Sequence, residues 1–221
     1  MPNAVYTHSF LLVVGMTMIL WWNAVERLWL VPKMTKATKE GLALLARIRV
    51  KSLVDDRSVK TGDLLFFRGL SWVEKTIQSY TTCRYNHVAM VVVDRGTRFL
   101  WEADVGENYR QGPRLIPLEL KLSKWRGTGE VALRPIIEEL PIGQVLDIAK
   151  GKLDKAFDKS MLRWLLEWWP REEECYFCSE LIAETLVGVG LLEKGKRTSS
   201  YSPKDLAFGR IKGYDQLKVL K

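Results

Sequence analysis

Histidine is nearly missing from this chain of 221 residues, which has only two, His8 and His87. His8 stands beside an apolar N-terminal run and is a poor catalytic candidate. If the protein is a thiol hydrolase, His87 is therefore its one candidate base, since imidazole is the usual side chain that takes a proton from cysteine near neutral pH. Cysteine is scarce as well: three residues, an odd number, exclude a disulfide framework. Internal repeats and low-complexity tracts are absent. No RNA-binding or helix-turn-helix signature accompanies the basic net charge of +8, so nucleic acid is not the expected partner. A hydrophobic fraction of 47% with 27% charge excludes disorder as the default and leaves room for one well-buried domain plus an appendage.

What is present is unevenly placed. Ser9 to Val25 is an uncharged apolar stretch of seventeen residues, the short end of a spanning helix. Trp21, Trp22 and Trp29 cluster there, as suits a bilayer interface, whereas Trp164, Trp168 and Trp169 read as core or groove residues. Positive charge ahead of the run and a small-residue cleavage site after it are both missing, which favours an uncleaved anchor over a signal peptide. Between Arg27 and Lys51 seven basic residues face one acid, Glu40, so six of the eight excess positive charges lie directly after the apolar run. That pattern fits an anionic membrane surface and places the following domain on the cytoplasmic side. The expected organisation is an N-terminal membrane-anchor helix over 1–32, a basic juxtamembrane segment over 33–58, and one domain over 59–221.

That domain reads as mixed α and β. Thr61 to Phe67 is a turn entering a strand, and Ser71 to Tyr80 a short helix with Ser71 as its cap. His87 to Val93 is a buried strand by its β-branched content, closed by a turn at Asp94-Arg95-Gly96, with Arg98 to Asp104 as its hairpin partner. Further strands are expected over Arg114 to Leu122 and Glu130 to Pro135. Helical patterns cover Ile142 to Asp154 and Ser160 to Trp168. A last helix opens near Cys178, turns Leu181, Ile182, Leu186 and Val189 to one side, and ends at Gly188 or Gly190.

The chemistry falls on two of these elements. A cysteine at a helix N-terminus faces unpaired N–H groups and the positive end of the macrodipole, which favour thiolate over thiol. Cys178 has that position, and the next N–H in the first turn can stabilise an oxyanion. Glu172, Glu173, Glu174 and Glu180 oppose the thiolate. In the hairpin, Glu102 lies where it can approach His87, fix its tautomer and support the imidazolium. Asp104, on the same face of the strand, competes for that role.

Taken in order, Gly62-Asp63, a short helix, Tyr85-Asn86-His87-Val-Ala-Met-Val, Glu102, Phe177-Cys178-Ser-Glu-Leu-Ile, and Ser202-Pro-Lys-Asp-Leu206 resemble the circularly permuted papain-like hydrolases of the NlpC superfamily. The likeness is greatest to the YiiX and YaeF group of cysteine amidases or peptidases, which has relatives in large DNA viruses, and covers about Val59 to Phe208. It implies an α+β fold in which a small antiparallel sheet packs against helices. Cys178 is then the nucleophile, His87 the base and Glu102 the third member. Acyl transfer through a thioester needs no cofactor and no metal. The substrate implied is an amide in a peptide or cell-wall-type peptide. The related lecithin retinol acyltransferase-like branch, together with the anchor, admits an acyl-peptide or lipid ester, although that branch carries Asn-Cys-Glu-His where this chain has Cys-Ser-Glu-Leu.

Other readings use the same residues. Cys83, His87, Cys175 and Cys178 form a set that could close a structural zinc site. Cys175 and Cys178 have the spacing of a redox pair, without the βαβ pattern such a pair requires. A non-catalytic interaction module on the same fold is the third alternative. Tyr85 and Tyr176 are candidates to lend a hydroxyl to the site, and packing explains them as well.

Overall fold

The computed structural model describes residues 59–104, 112–124, 130–153, 155–157 and 175–220. The apolar run, the anchor over 1–32, the basic segment and the helix expected at Ser160 to Trp168 lie outside the described residues. Among the described residues no helix is long and apolar enough to cross a membrane.

The domain is α+β, built on a six-stranded sheet whose ladders all run antiparallel. Its strands are β1 (Leu64–Phe67), β2 (His87–Asp94), β3 (Thr97–Ala103), β4 (Pro113–Pro117), β5 (Val131–Arg134) and β8 (Lys218–Val219), in the order β4-β3-β2-β1-β5-β8. The helices are α1 (Trp72–Thr81), α2 (Leu118–Lys124), α3 (Ile142–Lys150), α4 (Cys178–Gly188) and α5 (Pro203–Phe208). Two short strands, β6 (Ala156–Phe157) and β7 (Cys175–Tyr176), pair in parallel just ahead of α4.

Local chemistry sets these boundaries. Ser71 and Glu74 form a reciprocal capping box at the start of α1, with the Ser71 N–H donating to Glu74 at 2.6 Å. Ser202 and Asp205 do the same for α5, with Pro203 in its first turn. The β2–β3 hairpin turns through Arg95 and Gly96 at φ 47° and 80°. Positive φ at both positions is the two-residue turn that matches strand twist, and glycine adopts it without strain. Asp63 of the Gly62-Asp63 motif is structural: its buried carboxylate accepts the N–H groups of Lys60 at 2.9 Å and Ile136 at 2.8 Å.

Strand alternation divides the core between the two faces of the sheet. Leu64, Phe66, Val88, Met90, Val92 and Trp101 share one face with Cys178, Leu181, Ile182 and Leu186 of α4. Leu65, Phe67, Ala89, Val91 and Leu100 share the other with Leu118 and Leu122 of α2. The span expected to be a strand from Arg114 to Leu122 divides at Pro117, where strand gives way to helix. Proline has no N–H to continue a ladder, and beyond it burial follows Leu118, Lys121 and Leu122 while Leu120 is exposed.

Candidate active site

His87 is the first residue of β2, level with Phe67 at the end of β1. Its backbone is fixed by the residue before it. Asn86 donates its N–H to the Phe67 carbonyl at 3.2 Å, and its side-chain oxygen accepts from the Gly69 N–H at 2.6 Å and from Gln78 Nε2 at 3.0 Å. Alternation assigns His87 to the α2 face and Cys178 to the α4 face, but a strand's first residue can reach around its end. There the two approach, near enough for the Cys178 side chain to influence the protonation of the imidazole.

The other side of the ring faces a carboxylate. His87 Nε2 lies 2.8 Å from Glu102 Oε2, which leaves Nδ1 for the thiol. Continuing the hairpin register from Met90 opposite Trp101 sets His87 level with Asp104, so Glu102 reaches the ring along the diagonal rather than straight across. Both acids expected to compete for the imidazole are thus beside it, and Glu102 makes the bond.

Two residues that sequence reasoning did not single out hold Glu102 in place. Arg114, its register partner on β4, donates from Nε at 3.0 Å and from Nη2 at 2.6 Å to Oε1. Lys121 of α2 lies 2.7 Å from Oε2 and 3.0 Å from Oε1, and donates to Asp104 at 2.8 Å. Arg114 also reaches Asp104 at 3.2 Å. Glu102 is fully buried, so each of its oxygens is satisfied by protein rather than water.

These contacts move the protonation equilibria. Burial, the largest single influence, works to strip the proton from His87, and Lys121 adds to it; the Cys178 charge and hydrogen bonding to Cys178 and Glu102 together outweigh both, so the imidazole is raised to about 10. Burial also opposes ionisation of Glu102, yet the His87 hydrogen bond and the charges of Lys121, His87 and Arg114 hold it well below the usual carboxylate range. Asp104 is lowered against its burial by His87 and Lys121. Lys121 is raised, burial notwithstanding, by Glu102 and Asp104.

The remaining candidates find other partners. The Tyr85 hydroxyl donates to Glu130 at 3.3 Å, and the Tyr176 hydroxyl accepts from Lys152 at 2.8 Å. Glu180 turns its carboxylate back to the Phe177 N–H at 3.5 Å, closing the first turn of α4. Cys83 is buried, its sulfur accepting the Tyr85 N–H at 3.5 Å, with Lys204, Arg84 and Asp205 as its charged surroundings. Among the described residues Cys83 and Cys178 do not join His87 in a cluster of close ligand atoms; the Cys175 side chain and Glu172 to Glu174 lie outside that set.

No family model matches the chain, and no curated protein matches it. Among solved structures it is similar to one described as the metalloprotein YiiX from Escherichia coli O157:H7, DUF1105, at 24% identity and a TM-score of 0.48, over 63% of this chain and 69% of that one.

Proposed function

We propose that the protein is a cysteine hydrolase of the permuted papain-like type that cleaves amide bonds through Cys178, His87 and Glu102. One observation carries this reading: an imidazole bonded to a fully buried carboxylate stands within electrostatic reach of a cysteine at a helix N-terminus. The Cys178 thiolate attacks the amide carbonyl carbon, and the developing oxyanion takes hydrogen bonds from N–H groups in the first turn of α4. Collapse of the tetrahedral intermediate breaks the C–N bond as His87 gives its Nδ1 proton to the departing amine. Water then adds to the thioester, His87 takes the water proton, and the acid leaves as the thiolate is restored. Glu102, held by Arg114 and Lys121, keeps the ring oriented throughout.

Support for a peptide-type amide comes from the motif order; the apolar run and basic segment support work at an anionic membrane surface, where acyl-peptide substrates are presented. The test is labelling of the full chain with an iodoacetamide probe alongside hydrolysis of a panel of peptide amides and acyl esters. Labelling at Cys178 that His87→Ala slows at least about a hundredfold, with turnover lost in Cys178→Ala, is the expected result. Equal labelling of Cys83 and Cys178, with no substrate turned over, sinks the proposal.

A further inference from the structure

Two carboxylates and an imidazole converge where β2 begins, and the ligand atoms of His87, Glu102 and Asp104 lie within 4.8 Å of one another. One nitrogen and two carboxylate oxygens at that spacing are a ligand set for a hard divalent cation. Its centre is filled from within the chain. The Lys121 ammonium stands 2.7 and 3.0 Å from the two oxygens of Glu102 and 2.8 Å from Asp104 Oδ2. We infer that Lys121 is the resident cation of this constellation: it holds Glu102 and Asp104 as a divalent ion would, excludes such an ion, and keeps Glu102 aimed at His87 without metal.

Charge and packing both support this. Glu102 and Asp104 face Arg114 and Lys121, so these four side chains are neutral together before any ion arrives. An incoming cation would have to expel an ammonium that is itself paired and buried, with only 8% of its side chain exposed. The ammonium has little freedom to leave, because Leu118 and Leu122, on either side of Lys121 in α2, are seated in the core. Removing it leaves one net negative charge among these carboxylates and cations, a gap, and Glu102 and Asp104 around the gap, with a His87 nitrogen free to join once the ion displaces its proton. The ion-binding claim stands on this cluster alone; only its consequence for orienting His87 rests on the hydrolase reading.

The test uses the full chain and Mn²⁺, which prefers carboxylate and imidazole to thiolate, so that Cys178 is not a competing ligand. Free Mn²⁺ is followed by electron paramagnetic resonance. Wild-type protein is expected to hold no Mn²⁺ that Asp104→Asn removes. Lys121→Ala is expected to bind one equivalent at least about tenfold more tightly than wild type. Asp104→Asn in that background abolishes the binding, and Lys121→Arg restores exclusion. Should Lys121→Ala lose its thermal transition, recovery of that transition on adding Mn²⁺ is the supporting result. Three outcomes overturn the inference: wild-type binding that Asp104→Asn abolishes, a folded Lys121→Ala that binds nothing, or an unfolded one that Mn²⁺ does not rescue. None of these readouts depends on hydrolysis. If turnover is observed, a chelator should leave the wild-type rate unchanged, while Mn²⁺ should change the rate of Lys121→Ala alone.

Discussion

A buried imidazole left to itself gives up its proton, because a low dielectric disfavours the charged form. Burial is the largest single influence on His87, yet the net shift is upward, to about 10, since the Cys178 charge and the hydrogen bonding to Cys178 and Glu102 together outweigh it. The imidazolium should therefore persist well beyond the ordinary range for histidine. As pH rises through about 10 the ring deprotonates, so kcat/KM should keep its plateau until that region and then fall. Cys178→Ser removes the largest raising influence and keeps the burial, which moves the midpoint down. Nuclear magnetic resonance titration of the imidazole reads this directly, with His8 as the one other signal to assign. A wild-type midpoint near 6.5 would falsify the coupling of thiolate to imidazolium.

At the level of elements, the proposed catalysis depends on how α4 is seated, because the helix carries Cys178 while the sheet carries His87 and Glu102. One buried bond ties the two. Trp101, neighbour of Glu102 on β3, donates its indole N–H to Thr185 Oγ1 at 3.0 Å, and that hydroxyl donates to the Leu181 carbonyl at 2.8 Å. Thr185→Val keeps the shape and leaves a buried indole N–H without its acceptor, which destabilises by about 1–3 kcal/mol. Thr185→Ser should recover most of that loss. In denaturant unfolding the valine variant should shift its midpoint, and its kcat should fall with it as Cys178 loses register with His87; unchanged unfolding sinks the argument. The elements differ in how readable they are. The β2–β3 hairpin was legible because turn chemistry and alternation agree, and α4 because its apolar positions follow a helical period. α2 was not: Leu118, Leu120 and Leu122 alternate as in a strand, and only Pro117 signals the change. Misreading that segment hid Lys121, and with it half of the support for Glu102.

Across the whole molecule, the residues that close the fold are far apart in sequence, which is why spacing cannot reveal them. Arg134 at the end of β5 is buried and gives all three of its donor nitrogens to carbonyl oxygens of the C-terminal segment: Nε to Asp215 at 3.0 Å, Nη1 to Leu206 at 2.6 Å and Nη2 to Gly209 at 2.8 Å. Its guanidinium lies over the ring of Tyr214, 5.5 Å from the centroid, and the Tyr214 hydroxyl donates to the Gly62 carbonyl at 2.5 Å. One side chain thus ties α5 and the residues after it to β5, and through Tyr214 to the turn that enters β1. Carbonyl dipoles offset the burial of the charge only in part, and desolvation lowers the guanidinium from its usual value. Lysine cannot replace this fork, because an ammonium is a point donor and cannot span three carbonyls at fixed angles. Arg134→Met leaves the buried Leu206 carbonyl and the half-buried Gly209 carbonyl without their donor and removes the bond to Asp215, so the expected loss is at least about 3 kcal/mol. Arg134→Lys should recover less than half. Thermal unfolding measures the loss, and hydrogen exchange locates it: protection should fall first over 203–219, while β2 and β3 hold until global unfolding. If both variants unfold like wild type, or if exchange rises evenly over the sheet, Arg134 is not the tie that closes the fold.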